Sequence, residues 1–378
     1  MSGGYMAFRV LLTGANWVGD VLGACKRALE HLGGHVQVVV TNDISARVTQ
    51  LNVLEKRARA IPLIGRRWAR HIQGHVNADR ITDTRRRISE MIRNHKPDIL
   101  LALVDGLYPV MPDLMNDSPN IIKIAWMMDD PFYYHSAALF DLHAFDVLYT
   151  VEDSLVAPLR QATGRPVSCI PLAADTTTYH KLRDPTSGDG CHDLVFVGKS
   201  YRASAPGEVR KRLLSGVIDY GLSIWGDQGW KNWTVDGADL GQCYRGGPTQ
   251  PEETNRIYNH AKVVINILHP QIRSGTSLRT FSICAAGAFQ LVEWREGLYT
   301  MLEPGREIVA YRCGDELKEQ AEHYLLDERA RRRIAAAGYS RVAAEHTYVH
   351  RLCRIVTDAG IGASTDSRIA VSRARTLQ

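Results

Sequence analysis

The stretch DLVFVGKSYRASAPGEVRKRLL, Asp193 to Leu214, sets the reading of the fold. It opens on an apolar run closed by Gly198, and a helical pattern follows from Gly207 to Tyr220. The alternation continues downstream. LSIWG (Leu222–Gly226) reads as a strand, Pro251–Ala261 as a helix, VVINIL (Val263–Leu268) as a strand, Leu278–Ala286 as a helix and AFQLV (Ala288–Val292) as a strand. Short strands that are apolar almost throughout, separated by helices, predict a parallel sheet covered on both faces. From Asp315 to Val356 the chain is almost entirely good helix formers.

The first half repeats the pattern. FRVLLTG (Phe8–Gly14), HVQVVV (His35–Val40), DILLALV (Asp98–Val104), IIKIAWM (Ile121–Met127), DVLYTV (Asp146–Val151) and VSCIPL (Val167–Leu172) read as strands. Val18–Leu32, Thr82–Asn94 and Ser154–Thr163 read as helices between them. Between the halves, Ala173–Cys191 contains HKLRDPTSGDGC, the composition of an inter-domain connection. The predicted class is α/β, with two doubly wound, Rossmann-like domains. The end of the chain, Gly360–Gln378, is polar, small and basic, and reads as a disordered tail. Ligands of such sheets sit beyond the carboxyl ends of the strands. With two sheets facing each other, the cleft between them is the expected site, and hinge closure over a ligand is expected there.

The 378 residues, 45% hydrophobic and 23% charged, suit two or three soluble domains at about 100–200 residues each. No apolar run approaches the ~20 residues of a membrane span, so no transmembrane segment is expected. The N-terminus lacks a basic region followed by an apolar one, so no secretory signal is expected. Seven scattered cysteines, never CxxC, predict reduced thiols and a cytoplasmic location. Net charge is +5, with basic clusters at Arg66-Arg67, Arg85–Arg87, Arg331–Arg333 and the last dozen residues. No zinc-finger, RNP or KH signature accompanies them, so they read as solvated helix faces and no nucleic-acid partner is expected.

Thr13-Gly14-Ala15-Asn16-Trp17-Val18-Gly19-Asp20 joins the first strand to the first helix. Glycines at such a turn let backbone approach a ligand, and a helix N-terminus favours anions. The turn superficially resembles the TGxxGxxG turn of short-chain dehydrogenases, but it is one residue shorter and lacks the middle glycine. A tight turn without a cofactor is the alternative. Tyr258 and Lys262 match the YxxxK pair of the same enzymes, yet they fall in the second half. There they read as i, i+4 neighbours on a helix, and dehydrogenase chemistry is rejected.

Val195–Val309 carries the most specific pattern: VFVGKSYRASAPGEVRKRLL, LSIWGDQGW, TQPEETNRIYNHAKVVINILHP, SGTSLRTFSICAAGAFQLVEW and YTMLEPGREIVAY. Its order and spacing resemble the nucleotide-sugar domain of GT-B glycosyltransferases. The chain is most similar there to the CgeB-like group, spore maturation glycosyltransferase-like proteins related to glycosyltransferase family 4. GYSRVAAEHTYVHR (Gly338–Arg351) and AWMMDDP (Ala125–Pro131) resemble the same group. The resemblance implies an acceptor domain over 1–172, a nucleotide-sugar domain over 173–345 and a helix over 346–360 that crosses back to the first domain. It also implies hexosyl transfer without a metal or other cofactor. The donor, a nucleoside-diphosphate sugar, would be a substrate, and the acceptor a small molecule, glycan or protein. A sugar-nucleotide epimerase or hydrolase, or an inactive nucleotide-binding protein, stays open.

By the same resemblance, Gly198, Lys199 and Arg210 hold the donor diphosphate. Ser274, Gly275, Thr276 and Ser277 precede Arg279 at a helix start and offer N–H groups and hydroxyls to phosphate. Tyr244 falls where the family places its base-binding loop, and His269 follows a strand end. A surface cation, or a structural histidine, is the alternative for each. Family 4 enzymes carry two glutamates eight positions apart, and here those positions hold Ser274 and Ser282. A serine bonds one ribose hydroxyl where a carboxylate accepts from two.

Transfer to a hydroxyl needs a base in inverting enzymes. Asp129 and Asp130 follow a strand end and are candidates, as is Asp20. Gly14, Asn16, Trp17, Gly19 and His135 are candidates on the acceptor side. Paired aspartates also bind divalent cations, and Asp130 ahead of Pro131 also reads as a cap.

Overall fold

The computed structural model describes residues 7–16, 21–42, 65–105, 112–116, 118–182, 192–202, 204–231, 233–235, 238–247 and 250–361. Trp17, Gly19 and Asp20 lie outside the described residues. The chain divides into two compact units. One comprises Met1–Val151, Leu155–Ile170 and Leu352–Gln378, and the other Glu152–Ser154 and Pro171–Arg351.

In the first unit, six strands form one parallel sheet: β1 (Phe8–Gly14), β2 (Gly34–Val40), β3 (Ile99–Val104), β4 (Ile122–Met127), β5 (Val147–Thr150) and β6 (Val167–Cys169). Their order is β2-β1-β3-β4-β5-β6. The helices are α1 (Val21–His31), α2 (Gly65–His95), α3 (Pro112–Asn116) and α4 (Val156–Thr163). ILLALV of β3 is buried at every position, as an inner strand covered on both faces requires. Leu100, Ala102, Val104, Ala125, Met127 and Leu148 share one core cluster with Ile88 of α2. That helix begins at Gly65, well before the predicted Thr82, and its first half, GRRWARHIQGHVNADR, is basic and lacks the regular apolar face from which a helix is read.

In the second unit the strands are β7 (His192–Val197), β8 (Leu222–Trp225), β9 (Thr234–Val235), β10 (Ala238–Asp239), β11 (Tyr244–Gly246), β12 (Ala261–Asn266), β13 (Gln290–Glu293) and β14 (Val309–Tyr311). The parallel sheet runs β11-β8-β7-β12-β13-β14, and β9 and β10 form a small antiparallel pair. The helices are α5 (Ala205–Ser215), α6 (Pro251–Asn259), α7 (Leu278–Ala285), α8 (Gly314–Leu326), α9 (Glu328–Glu345) and α10 (Tyr348–Asp358). Side chains alternate across this sheet. Val263, Ile265 and Leu291 enter one core with Phe196, Trp230 and Tyr311. Val264 and Val292 enter another with Tyr258, Phe281 and Val342. The architecture is α/β throughout, as expected.

One expectation is corrected. Lys262 is not a helical neighbour of Tyr258, because α6 ends at Asn259 and Lys262 stands on β12, paired with Asp193 at 2.6 Å. The segment from Asp315 to Val356 is almost entirely helical, as expected, and comprises three helices. Asp327 breaks it by accepting the Ala330 amide at 2.8 Å as an N-cap, and a second break falls at His346-Thr347. No helix among the described residues is long and apolar enough to cross a membrane.

Candidate functional site

Three glycines meet at the carboxyl ends of β7, β8 and β11. A Cβ on Gly226 would lie 2.0 Å from the Gly198 carbonyl oxygen, and one on Gly247 would lie 2.9 Å from the Gly226 nitrogen. The Gly226 amide donates to Gly246 at 2.9 Å, and the Trp230 indole donates to the Gly198 oxygen at 2.9 Å. Only glycine fits so close an approach, which leaves a floor of bare backbone. Tyr244 stands at its edge, half-buried, with its hydroxyl 3.4 Å from the Gly226 oxygen.

The turn after Gly198 is held by Asp227. Its carboxylate accepts the Ser200 amide at 2.8 Å, the Ser200 hydroxyl at 2.6 Å and the Gly229 amide at 2.8 Å. Burial alone would raise this carboxyl, but these bonds outweigh it and hold it below its ordinary value. Tyr201 sits in the left-handed region at φ 50°, and Gly207 makes room for its carbonyl, where a Cβ would come within 2.2 Å. The turn places the Tyr201 ring against Arg210 of α5, whose guanidinium lies 4.6 Å from that ring and 5.5 Å from Phe196.

Arg210 is 4% exposed and donates to the Lys199 carbonyl. Burial first, and then the positive charge of Arg279, bring its guanidinium down to about 10. Among the described residues neither arginine makes a salt bridge. Asp227 and Glu293 act on Arg210 only from beyond ion-pair contact. Arg279, in the first turn of α7, hydrogen-bonds Tyr258, whose hydroxyl burial pushes up and Arg279 pulls back. His269, edge-on to Tyr201 at 5.2 Å, is lowered to about 4 by burial and then by Arg210. It is neutral at pH 7. Its Nδ1 accepts the Gln271 amide at 3.3 Å, which assigns the proton to Nε2.

The loop before α7 is built from both sides. Arg295 Nε donates to the Ile272 oxygen at 2.9 Å, and the Gly297 amide donates to the Ser274 oxygen at 2.7 Å. The loop's own N–H groups converge on the buried carboxylate of Glu152. Oε2 accepts the amides of Arg273 (3.2 Å) and Ser274 (3.0 Å) and the Ser274 hydroxyl (3.1 Å), and Oε1 accepts the Gly275 amide (3.0 Å). Beneath, Asn266 donates to Thr280 at 2.8 Å and to Gln290 at 3.1 Å, and Thr276 bonds Thr280 at 2.6 Å. This buried network fixes where α7 starts. Ser277 precedes α7 without a side-chain cap bond. Among the described residues, the buried Ser277 and Ser282 hydroxyls have no hydrogen-bond partner.

The structure therefore gathers Arg210, Arg279 and His269, and seats Ser274–Ser277 at the head of the helix that carries Arg279. It revises the use of three of them. The amides of Ser274 and Gly275 are directed at Glu152 and not outward, and Lys199 is exposed, with its carbonyl in the bond to Arg210. A carboxylate does stand at Ser274, but it comes from residue 152. Glu152, Tyr201 and Asp227 carry no motif that would single them out. The one sequence signal near them is the clustering of Gly198, Gly207 and Gly226.

In the first unit the candidates lie at strand carboxyl ends. Gly14 closes β1 against Leu103, where a Cβ would come within 2.9 Å. Asn16 and Asn42 bond reciprocally at 2.8 and 3.1 Å and tie the ends of β1 and β2 together. After β4, Asp129 is half-buried and Asp130 is 1% exposed. Asp130 Oδ1 accepts the amides of Phe132 (2.8 Å) and Tyr133 (3.1 Å), the capping use of that side chain. His135 is exposed on the same turn at φ 48°. No cluster of three metal-binding side chains occurs among the described residues.

Residues 209–357 match a family model described as glycosyl transferase-like. No curated protein matches the chain. Among solved structures, it is similar to sucrose-phosphate synthase from Thermosynechococcus elongatus, with 12% identity, a TM-score of 0.61 and coverage of 93% of this chain and 98% of that one. A glycosyltransferase from Rickettsia africae follows at 12% identity and a TM-score of 0.59, with 94% of this chain and 98% of that one covered. Anabaena HepE, solved with UDP and glucose, gives 12% identity and 0.58, with 93% and 98% covered. The two parallel sheets with flanking helices are the GT-B fold.

Proposed function

We propose that this chain is a GT-B glycosyltransferase of the CgeB-like kind, moving a hexose from a nucleoside-diphosphate sugar to an acceptor hydroxyl without a metal. The observation that carries the reading is the pair Arg210 and Arg279. Arg210 is buried and lowered by burial and by the positive charge of Arg279, and neither guanidinium has an ion-pair partner among the described residues. A diphosphate supplies the missing charge and explains why the arrangement persists.

The chemistry follows from the same groups. As the bond from the sugar to the diphosphate breaks, negative charge grows on the departing phosphate. Arg210, Arg279 and the uncapped N-terminus of α7 stabilise that charge more strongly than the ground state, which is what lowers a barrier. The Ser277 hydroxyl can donate to the same oxygens. His269, neutral and protonated on Nε2, offers a hydrogen bond without adding a third positive charge. On the acceptor side Asp129 is the favoured base, because the Asp130 carboxylate holds its own turn.

A thermal-shift panel of UDP, GDP, ADP, CDP and dTDP tests the reading. One nucleotide should raise the melting temperature, and Arg279→Ala should abolish the response. An Arg279→Ala protein that keeps full affinity would remove the phosphate-site assignment. The unpartnered hydroxyl of Ser282, where a carboxylate would grip a ribose better, favours a second reading: a nucleotide-binding protein without turnover. A chain that binds the nucleotide but consumes no sugar nucleotide, with or without acceptors, would support it.

A further inference from the structure

We propose that Glu152 is the positioning residue of the donor loop: an internal anion that fills the amide nest of Arg273–Gly275 and so directs a bound diphosphate to the start of α7. This rests on the donor-site reading above. Three consecutive N–H groups converging on one point form an anion site in their own right. Here that site is taken, by a side chain 2% exposed that belongs to no neighbouring element of the loop. Ser154 adds its hydroxyl to the same oxygen at 3.4 Å. The Ile272 and Ser274 carbonyls are meanwhile taken by Arg295 and Gly297. The amides of Arg273, Ser274 and Gly275 and the Ser274 hydroxyl are thus satisfied internally, and the donors nearer the helix include the Ser277 hydroxyl and the α7 N-terminus.

Two things follow. The loop is rigid before ligand arrives, so little ordering cost falls on binding. A phosphate also meets one vacancy and not two, because the nest cannot take it while the carboxylate is present. Removing the carboxylate leaves three convergent N–H groups without the acceptor they share. The loop then loses its fixed shape, and phosphate has a competing, unproductive place to lodge.

The experiment compares wild-type protein, Glu152→Ala and Glu152→Gln for binding of UDP and of uridine by calorimetry, with and without sodium acetate. Glu152→Ala should weaken UDP about tenfold, the loss of one to two charge-assisted bonds' worth of positioning, and leave uridine affinity unchanged. Acetate should restore most of the UDP affinity by refilling the nest, and chloride at equal ionic strength should not. Glu152→Gln keeps the shape but turns an NH2 toward an N–H donor. It should lose UDP affinity with no acetate rescue, because its side chain still occupies the nest. Equal UDP affinity in all three proteins would overturn the inference. So would equal losses for UDP and uridine without rescue, the mark of a merely structural residue. If the alanine variant does not fold, the glutamine variant's UDP-to-uridine ratio decides in the same way. Wild-type protein that binds no nucleoside diphosphate would overturn the donor-site reading itself, and this inference with it. Wild-type binding with insensitive variants would overturn this inference alone.

Discussion

Arg210→Met should weaken nucleotide binding while leaving the ligand-free protein about as stable as before. The guanidinium falls well below its ordinary value, to about 10, in the fold. A base whose folded value lies below its unfolded one is penalised at every pH where both states carry the proton, so the penalty is fully present at pH 7. At about 1.4 kcal/mol per unit it is on the order of 3 kcal/mol. Methionine escapes it and keeps much of the buried volume. What methionine loses is the contact with Tyr201 and Phe196, roughly 0.5–1 kcal/mol each, and the bond to Lys199, about 1 kcal/mol. The two sides nearly cancel, so the ligand-free melting temperature should move by no more than about 3 °C. Binding behaves differently. A charge-assisted bond to phosphate is worth about 1.5–3 kcal/mol, so UDP affinity should fall roughly tenfold to a hundredfold. Differential scanning fluorimetry with and without UDP, backed by calorimetry, reads both. A large fall in melting temperature with UDP affinity intact would show that Arg210 is a structural pillar, and the site would have to be sought elsewhere.

Gly226→Ala should cost about 3 kcal/mol in urea denaturation, because its Cβ would sit 2.0 Å from the Gly198 oxygen and 2.8 Å from the Trp230 indole nitrogen. Gly216→Ala, whose nearest neighbour would be 3.6 Å away, should be close to neutral, and similar costs for the two would defeat the close-packing account. Ser282→Ala should leave stability unchanged or slightly raised, since it removes a buried hydroxyl without a partner, yet it should weaken nucleotide binding a few-fold. Unchanged affinity in that variant would take Ser282 out of the site. His346 is 7% exposed and lowered to about 4 by burial and then by Arg351, so the folded state resists its protonation. Stability should be full above about pH 6.5 and fall as pH drops from there toward 4, by on the order of 3 kcal/mol, with His269 adding in the same direction. Melting temperatures that stay flat across that range, or a His346→Gln protein with an unaltered slope, would contradict this.

The inner strands were legible because burial on both faces writes itself as an unbroken apolar run, as in ILLALV of β3. The edges were not. Tyr244–Gly246 and Val309–Tyr311 are three residues each, too short for any period to show. The basic first half of α2 lacked the regular apolar face from which a helix is read. At the site, glycines and arginines were visible because their chemistry is local to a turn or a helix start. Glu152 was invisible because its partners lie 121 to 123 positions away, and only the folded chain brings a carboxylate to that loop. Asp130 was ambiguous for the opposite reason. Capping and catalysis call for the same residue at the same place, and only the folded chain, in the bonds to Phe132 and Tyr133, shows the capping use.

Neither unit is a continuous piece of chain. The first is completed by Leu352 onward, where Asp358 accepts the Tyr149 hydroxyl at 2.9 Å and Arg354 reaches the Cys169 oxygen at 3.4 Å. The second borrows Glu152–Ser154 from the midst of the first. During synthesis the first unit is therefore completed only after the segment from Leu352 has been made, although its six strands are all present by Cys169. A fragment begun at Pro171 would lack the carboxylate that its own loop is shaped around. Anyone wishing to express the halves apart would do better to permute the chain than to cut it.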